Sequence, residues 1–142
     1  FSCTNIIKDK KMESNFEKVK DYLIELDFAI VHESTEDQVF MVENDQAGIN
    51  NLVIACADTI LIMEQYLFTI SNENADVYKK LLQKNRDIIH GAFVLDDSGT
   101  KVIFRDTLQL ENLDLNELEG SLNSLELLMS EYSDELIKFS KV

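Results

Sequence analysis

LNELEGSLNSLELLMSEYSDELIKFSKV (Leu115–Val142) places an apolar residue at every third or fourth position: Leu115, Leu118, Leu122, Leu125, Met129, Tyr132, Leu136 and Phe139. That spacing is one face of a single long α-helix. Glu117, Glu119, Glu126, Glu131, Asp134 and Glu135 fall on the other faces. Asp114, with Glu117 three residues later, supplies the N-terminal cap. A stripe this regular has to be covered, either by a sheet of the same chain or by a second chain.

Upstream of that helix the period changes. Ala92–Asp96 and Lys101–Leu108 are β-rich runs joined through Asp97-Ser98-Gly99, which predicts a hairpin with glycine at a positive φ. Before them, Val77, Tyr78, Leu81, Leu82, Ile88 and Ile89 predict a second helix on one apolar side. Its cap comes from Ser71–Asn74 and its stop from Gly91, with Lys84, Arg86 and His90 near its negative end. Further back, Ile49–Ala57 and Thr59–Ile70 are long strands broken at Asp58, and Phe28–Glu33 and Gln38–Glu43 form another hairpin. Ser14 and Glu17 make a capping box for a first helix over Asn15–Asp27, whose seam is Phe16, Val19, Leu23 and Leu26.

The order is therefore α-β(3-4)-α-β-β-α. Hairpin-length links require antiparallel pairing. The expected fold class is α+β, an antiparallel sheet of about five or six strands with three helices. The chain has 142 residues, no proline and no linker composition, so residues 12–142 read as a single domain. Residues 1–11 read as a disordered leader or an upstream remnant, with Met12 a natural start.

Charge narrows the class of partner. The formal net charge is −14, with no Lys or Arg between Asp21 and Tyr78 and none between Asp106 and Ile137. Such a surface repels phosphate backbones and anionic membranes, so neither nucleic acid nor membrane is expected as a partner. A basic or amphipathic protein segment is the partner that fits. The two cysteines, Cys3 and Cys56, form no disulfide or metal pattern, which points to a reducing, cytoplasmic setting.

Catalytic motifs are missing. His32 and His90 belong to different elements, Asp96-Asp97-Ser98-Gly99 lacks the alternating ligands of a calcium loop, and four glycines make no phosphate cradle. No cofactor, metal or catalytic residue is expected. The polar residues that stand out are Asn85, Arg86, His90, Arg105 and Asp106. Arg86 and Arg105 are the two arginines of an acidic chain, each followed by Asp, and each should find a carboxylate fork. They read as structural pins of the second helix and second hairpin, or with Asn85 and His90 as the positive points of a recognition surface.

The run NRDIIHGAFVLDDSGTKVIFRDTLQLENLDLNELEGSLNSL (Asn85–Leu125) closely resembles small bacterial YbjN-like proteins of the Tir-chaperone-like group, and weaker similarity reaches back to Phe16. Size, acidity and element order also resemble class I type III secretion chaperones. The resemblance implies a small, dimeric α+β fold that holds protein substrates, and it carries no catalytic residue. The expected function is thus a non-enzymatic protein-binding module, chaperone-like or a regulatory adaptor, acting as a homodimer through an edge strand or the second helix. The alternative is a small-ligand-binding or enzymatic domain whose site is assembled from the dispersed polar residues.

Overall fold

The computed structural model describes residues 14–72 and 74–141; the leader, residues 1–11, lies outside them. Its elements are α1 (Asn15–Glu25), β1 (Ala29–Ser34), β2 (Val39–Asn44), β3 (Ile49–Ala57), β4 (Ile60–Thr69), α2 (Ala75–Asn85), β5 (Ala92–Leu95), β6 (Lys101–Gln109) and α3 (Leu115–Ser140). The strands form one antiparallel sheet in the order β1-β2-β3-β4-β6-β5. This is the α+β architecture expected, with six strands and three helices among the described residues.

Local chemistry sets the helix ends. Ser14 Oγ accepts from Glu17 N at 3.1 Å and starts α1. That helix stops two residues before the expected Asp27. Asp27 adopts φ 66°, Asp27 N bonds Ile24 O at 3.0 Å, and Phe28 N bonds Leu23 O at 2.9 Å. These paired bonds close a helix through a left-handed residue, with Leu23 packed under Phe28, and they release the chain directly into β1. Asp114 Oδ1 accepts from Glu117 N at 2.8 Å and caps α3 as expected.

One sheet face carries the core. Phe40 opposes Ile54, Ile54 opposes Met63, Val102 opposes Phe68 and Phe93 opposes Phe104, all buried. Phe16 of α1 stacks on Phe40 with centroids 4.1 Å apart, and α3 lays Leu118, Leu122, Leu125 and Leu128 over the middle strands. The seam is wider than its three-four spacing suggests: Leu128 is buried although it lies off it, while Leu115, Met129 and Tyr132 are only half-buried. Burial continues to Leu136 and Phe139, the latter 6.3 Å from the Phe68 ring, so α3 stays covered nearly to its end.

No described helix lies on the opposite sheet face. Its side chains alternate with the core: Met41 opposes Val53, Val39 opposes Ala55, Ala55 opposes Ile62, and Ile103 opposes Val94. All are half-buried and none packs onto the core cluster. Glu64 pairs with Arg105 across β4 and β6 at the centre of this face.

Charge sits mostly on the helices and loops, and only three ion pairs occur among the described residues. With a net charge of −14, mutual repulsion in the folded state outweighs these contacts. Raising sodium chloride from about 20 to 300 mM should therefore raise the melting temperature by a few degrees, because the Debye length shortens to well under 10 Å. A lower melting temperature at the higher salt contradicts this balance.

Candidate functional site

Helix α2 ends earlier than its apolar pattern requires, and the early stop builds a groove. Asn85 Nδ2 donates to Phe93 O at 3.2 Å, and Asn85 Oδ1 accepts from Phe93 N at 2.7 Å. This amide imitates a neighbouring strand, fastening the last residue of α2 to the sheet edge at β5 and satisfying backbone groups that no seventh strand covers. Ile88 and Ile89, expected on the helix, instead lie in a loop over residues 86–91.

Within that loop the two isoleucines part. Ile88 is half-buried against the core, whereas Ile89 is 89% exposed. His90 O accepts from Ser124 Oγ of α3 at 2.8 Å, and its ring lies across Gly120, where an added Cβ would stand 3.7 Å from Nε2. A Cβ at Gly120 would make only an ordinary van der Waals contact with that ring, so the loop rests against α3 here without requiring glycine.

Between loop and helix runs a groove of about 240 Å³. Ile88, Leu128 and Tyr132 form its floor, Ile89 and the 57%-exposed Leu127 stand on its walls, and Asp87 and Glu131 lie along its rim. Beneath it, Lys84 Nζ bridges to Glu135 at 2.8 Å and sits 4.6 Å from the centroid of the Tyr132 ring, clamping α2 to α3. That lysine is spent on Glu135. Neither Asp87 nor Glu131 forms an ion pair with a described cation. A second apolar hollow, about 300 Å³, lies between α2 and β5 around Leu81, Phe93 and Val102, with Leu82 and Leu95 exposed beside it.

The five polar residues singled out from the sequence fall in different places. Asn85, Arg86 and His90 border the loop, but only His90 lines the groove. Arg86 is the exposed C-cap of α2 and meets no carboxylate among the described residues, so its expected fork is not formed. Arg105 does find one, in Glu64 rather than in its neighbour Asp106. Asp106 points to the other face of β6: Oδ1 accepts from Thr107 N at 2.9 Å, while Oδ2 is buried with no partner among the described residues. These groups do not converge on one pocket.

Cys56, half-buried on β3, has its thiol pushed up by that burial and stays protonated at neutral pH. No group of three His, Cys, Asp or Glu among the described residues is placed to hold a metal. No described helix is long and apolar enough to cross a membrane. The sequence reading passed over Gly120, Ser124, Leu127 and Leu128. The triplet Leu127-Leu128-Met129 was the available signal, since three adjacent apolar residues on a helix spread beyond one face.

The architecture and the groove can be set beside known proteins. The model of the CesT_Tir_1 family matches residues 12–142. The chain belongs to that family.

No curated protein matches this CesT_Tir_1 member. Among solved structures it is similar to YbjN of E. coli, with TM-score 0.66 and 13% identity over 84% of this chain and 92% of that one. It is similar to a chain of the HopA1–SchA chaperone–effector complex, with TM-score 0.55 and 14% identity over 89% and 94%. The Yersinia pestis type III secretion chaperone SycH, solved with a fragment of YscM2, gives TM-score 0.57 and 18% identity over 89% and 100%. At these identities the likeness is one of fold, and it agrees with the type III secretion chaperone-like architecture expected.

Proposed function

We propose that this CesT_Tir_1 member is a non-enzymatic, chaperone-like or adaptor protein of the cytoplasm, working as a homodimer. Its partner is a basic, amphipathic segment laid in the groove between residues 86–91 and α3. The observation that carries this reading is the pairing of exposed Ile89 and Leu127 with Asp87 and Glu131, whose carboxylates meet no described cation. Exposed apolar walls with a rim of one sign suit an amphipathic helix whose polar side is cationic. Two structural neighbours are chaperones solved together with protein partners, which supports a protein rather than a small molecule as the ligand.

A designed peptide of about 18 residues, with leucines on one helical face and lysines on the other, tests the groove. Opposite fields speed encounter and are screened by salt, whereas apolar contact governs release. Stopped-flow measurements should therefore show an association rate that falls steeply with sodium chloride and a dissociation rate that changes little. Leu127→Glu should weaken binding about tenfold or more, since it sets a charge in the apolar wall. Equal binding of a scrambled peptide of the same composition, or an unaffected Leu127→Glu protein, defeats the reading.

A further inference from the structure

The uncovered sheet face departs from the pattern of a solvated sheet. An antiparallel sheet with one wet side alternates apolar and polar residues, while strands covered on both sides read as continuous apolar runs. β3 and β4 are of the second kind: Leu52–Ala57 is LVIACA and Ile60–Met63 is ILIM. Only half of those side chains reach the helices. The others, with Val39, Met41 and Ile103, form a largely apolar surface across four strands.

The charges on that surface are few and balanced. The outward positions of β2, β3, β4 and β6 hold two acids, Glu43 and Glu64, and two bases, Lys101 and Arg105, and Glu64 is already joined to Arg105. On a chain of net charge −14, this face is where a second acidic molecule meets least repulsion. A neighbouring pair of opposite charges is also self-complementary. Under a two-fold axis, Glu64 of one copy faces Arg105 of the other and the reverse.

The sheet edges are poor sites for the same association. Asn85 occupies the outward backbone groups of Phe93 on β5. β1, the other edge, is bulged between Ile30 and His32, which interrupts its hydrogen-bonding register. Helix α2 presents Lys79 and Lys80 beside Leu82, so two copies meeting there bring like charges together.

We infer that the open face of the sheet packs against the same face of a second copy, giving a helix–sheet–sheet–helix dimer with Glu64 and Arg105 exchanged across its centre. This rests on the homodimer proposed above and assigns its contact surface. The groove on α3 lies on the far side of each sheet, so both grooves stay open to partners.

Light scattering at micromolar concentration tests it, on the native chain and on four variants whose folding is checked by circular dichroism. The native chain should show twice its 16.3 kDa mass. Val53→Glu, a substitution on the open face, should raise the dimer dissociation constant about 100-fold or more. Glu64→Arg should weaken the dimer similarly by confronting arginines, and the exchanged double variant, Glu64→Arg with Arg105→Glu, should restore it. Leu82→Glu on α2 should leave the dimer intact. A native chain that is monomeric at every concentration removes the homodimer itself. A dimer that survives Val53→Glu and Glu64→Arg, or one that Leu82→Glu dissociates, leaves the homodimer standing and overturns this surface.

Discussion

Leu125→Ala is expected to cost about 2–5 kcal/mol of unfolding free energy, the range for emptying a closed aliphatic site that cannot collapse. Leu125 is fully buried where α3 crosses the central strands, between Leu122 and Leu128. Its neighbour Glu126 is exposed. Glu126→Ala should therefore shift stability by less than roughly 0.5 kcal/mol, as surface substitutions ordinarily do. Urea denaturation of the two variants measures the difference. Equal shifts of the two midpoints would mean that the burial phase of α3 is wrong.

Gly91→Ala should have an effect of similar size through a different cause. Gly91 holds φ +85°, a region where an L side chain costs about 1–2 kcal/mol. A Cβ at that position would also overlap the Phe104 ring and stand 3.0 Å from Arg105 O, adding an overpacking cost of about 1–3 kcal/mol. The expected total is about 2–5 kcal/mol. Gly99→Ala is the matched control, since φ is +76° there but nothing lies within 4 Å of the added atom. Its loss should be confined to the backbone part, about 1–2 kcal/mol. Thermal unfolding of both variants separates the two contributions, and equal losses would show that the Phe104 contact is readily relieved.

The folding pattern was legible wherever local chemistry and periodicity agree. β3 begins and ends where its apolar run does, at Ile49 and Ala57, and the caps at Ser14, Asn74 and Asp114 follow from side chains that can accept a backbone N–H. The end of α2 was not legible. Ile88 and Ile89 continue its apolar spacing, and only the bonds between Asn85 and Phe93, eight residues apart across a loop, decide that the helix stops. The groove inherits this difficulty, because its walls come from a loop and a helix that meet only in three dimensions.

The two arginines show the same limit. The sequence showed that each arginine should find a carboxylate but not which one, and on β6 the adjacent Asp106 points to the opposite face from Arg105. Arg105 consequently pairs with Glu64, 41 positions away, while Asp106 turns into the covered face. The continuous apolar runs of β3 and β4 are visible in the sequence as LVIACA and ILIM. Which face lacked a cover was fixed only when all three helices packed on the same side.

Chemical-shift mapping of the amphipathic Leu/Lys peptide on the isotope-labelled protein tests the central claim most directly, that partner binding occurs at the loop–α3 groove. The largest perturbations should fall at Asp87–His90 and at Gly120, Ser124, Leu127 and Glu131, and should vanish in Leu127→Glu. Perturbations centred instead on the α2–β5 hollow around Leu82 and Leu95, or on Met41, Val53 and Ile62 of the open face, would contradict it.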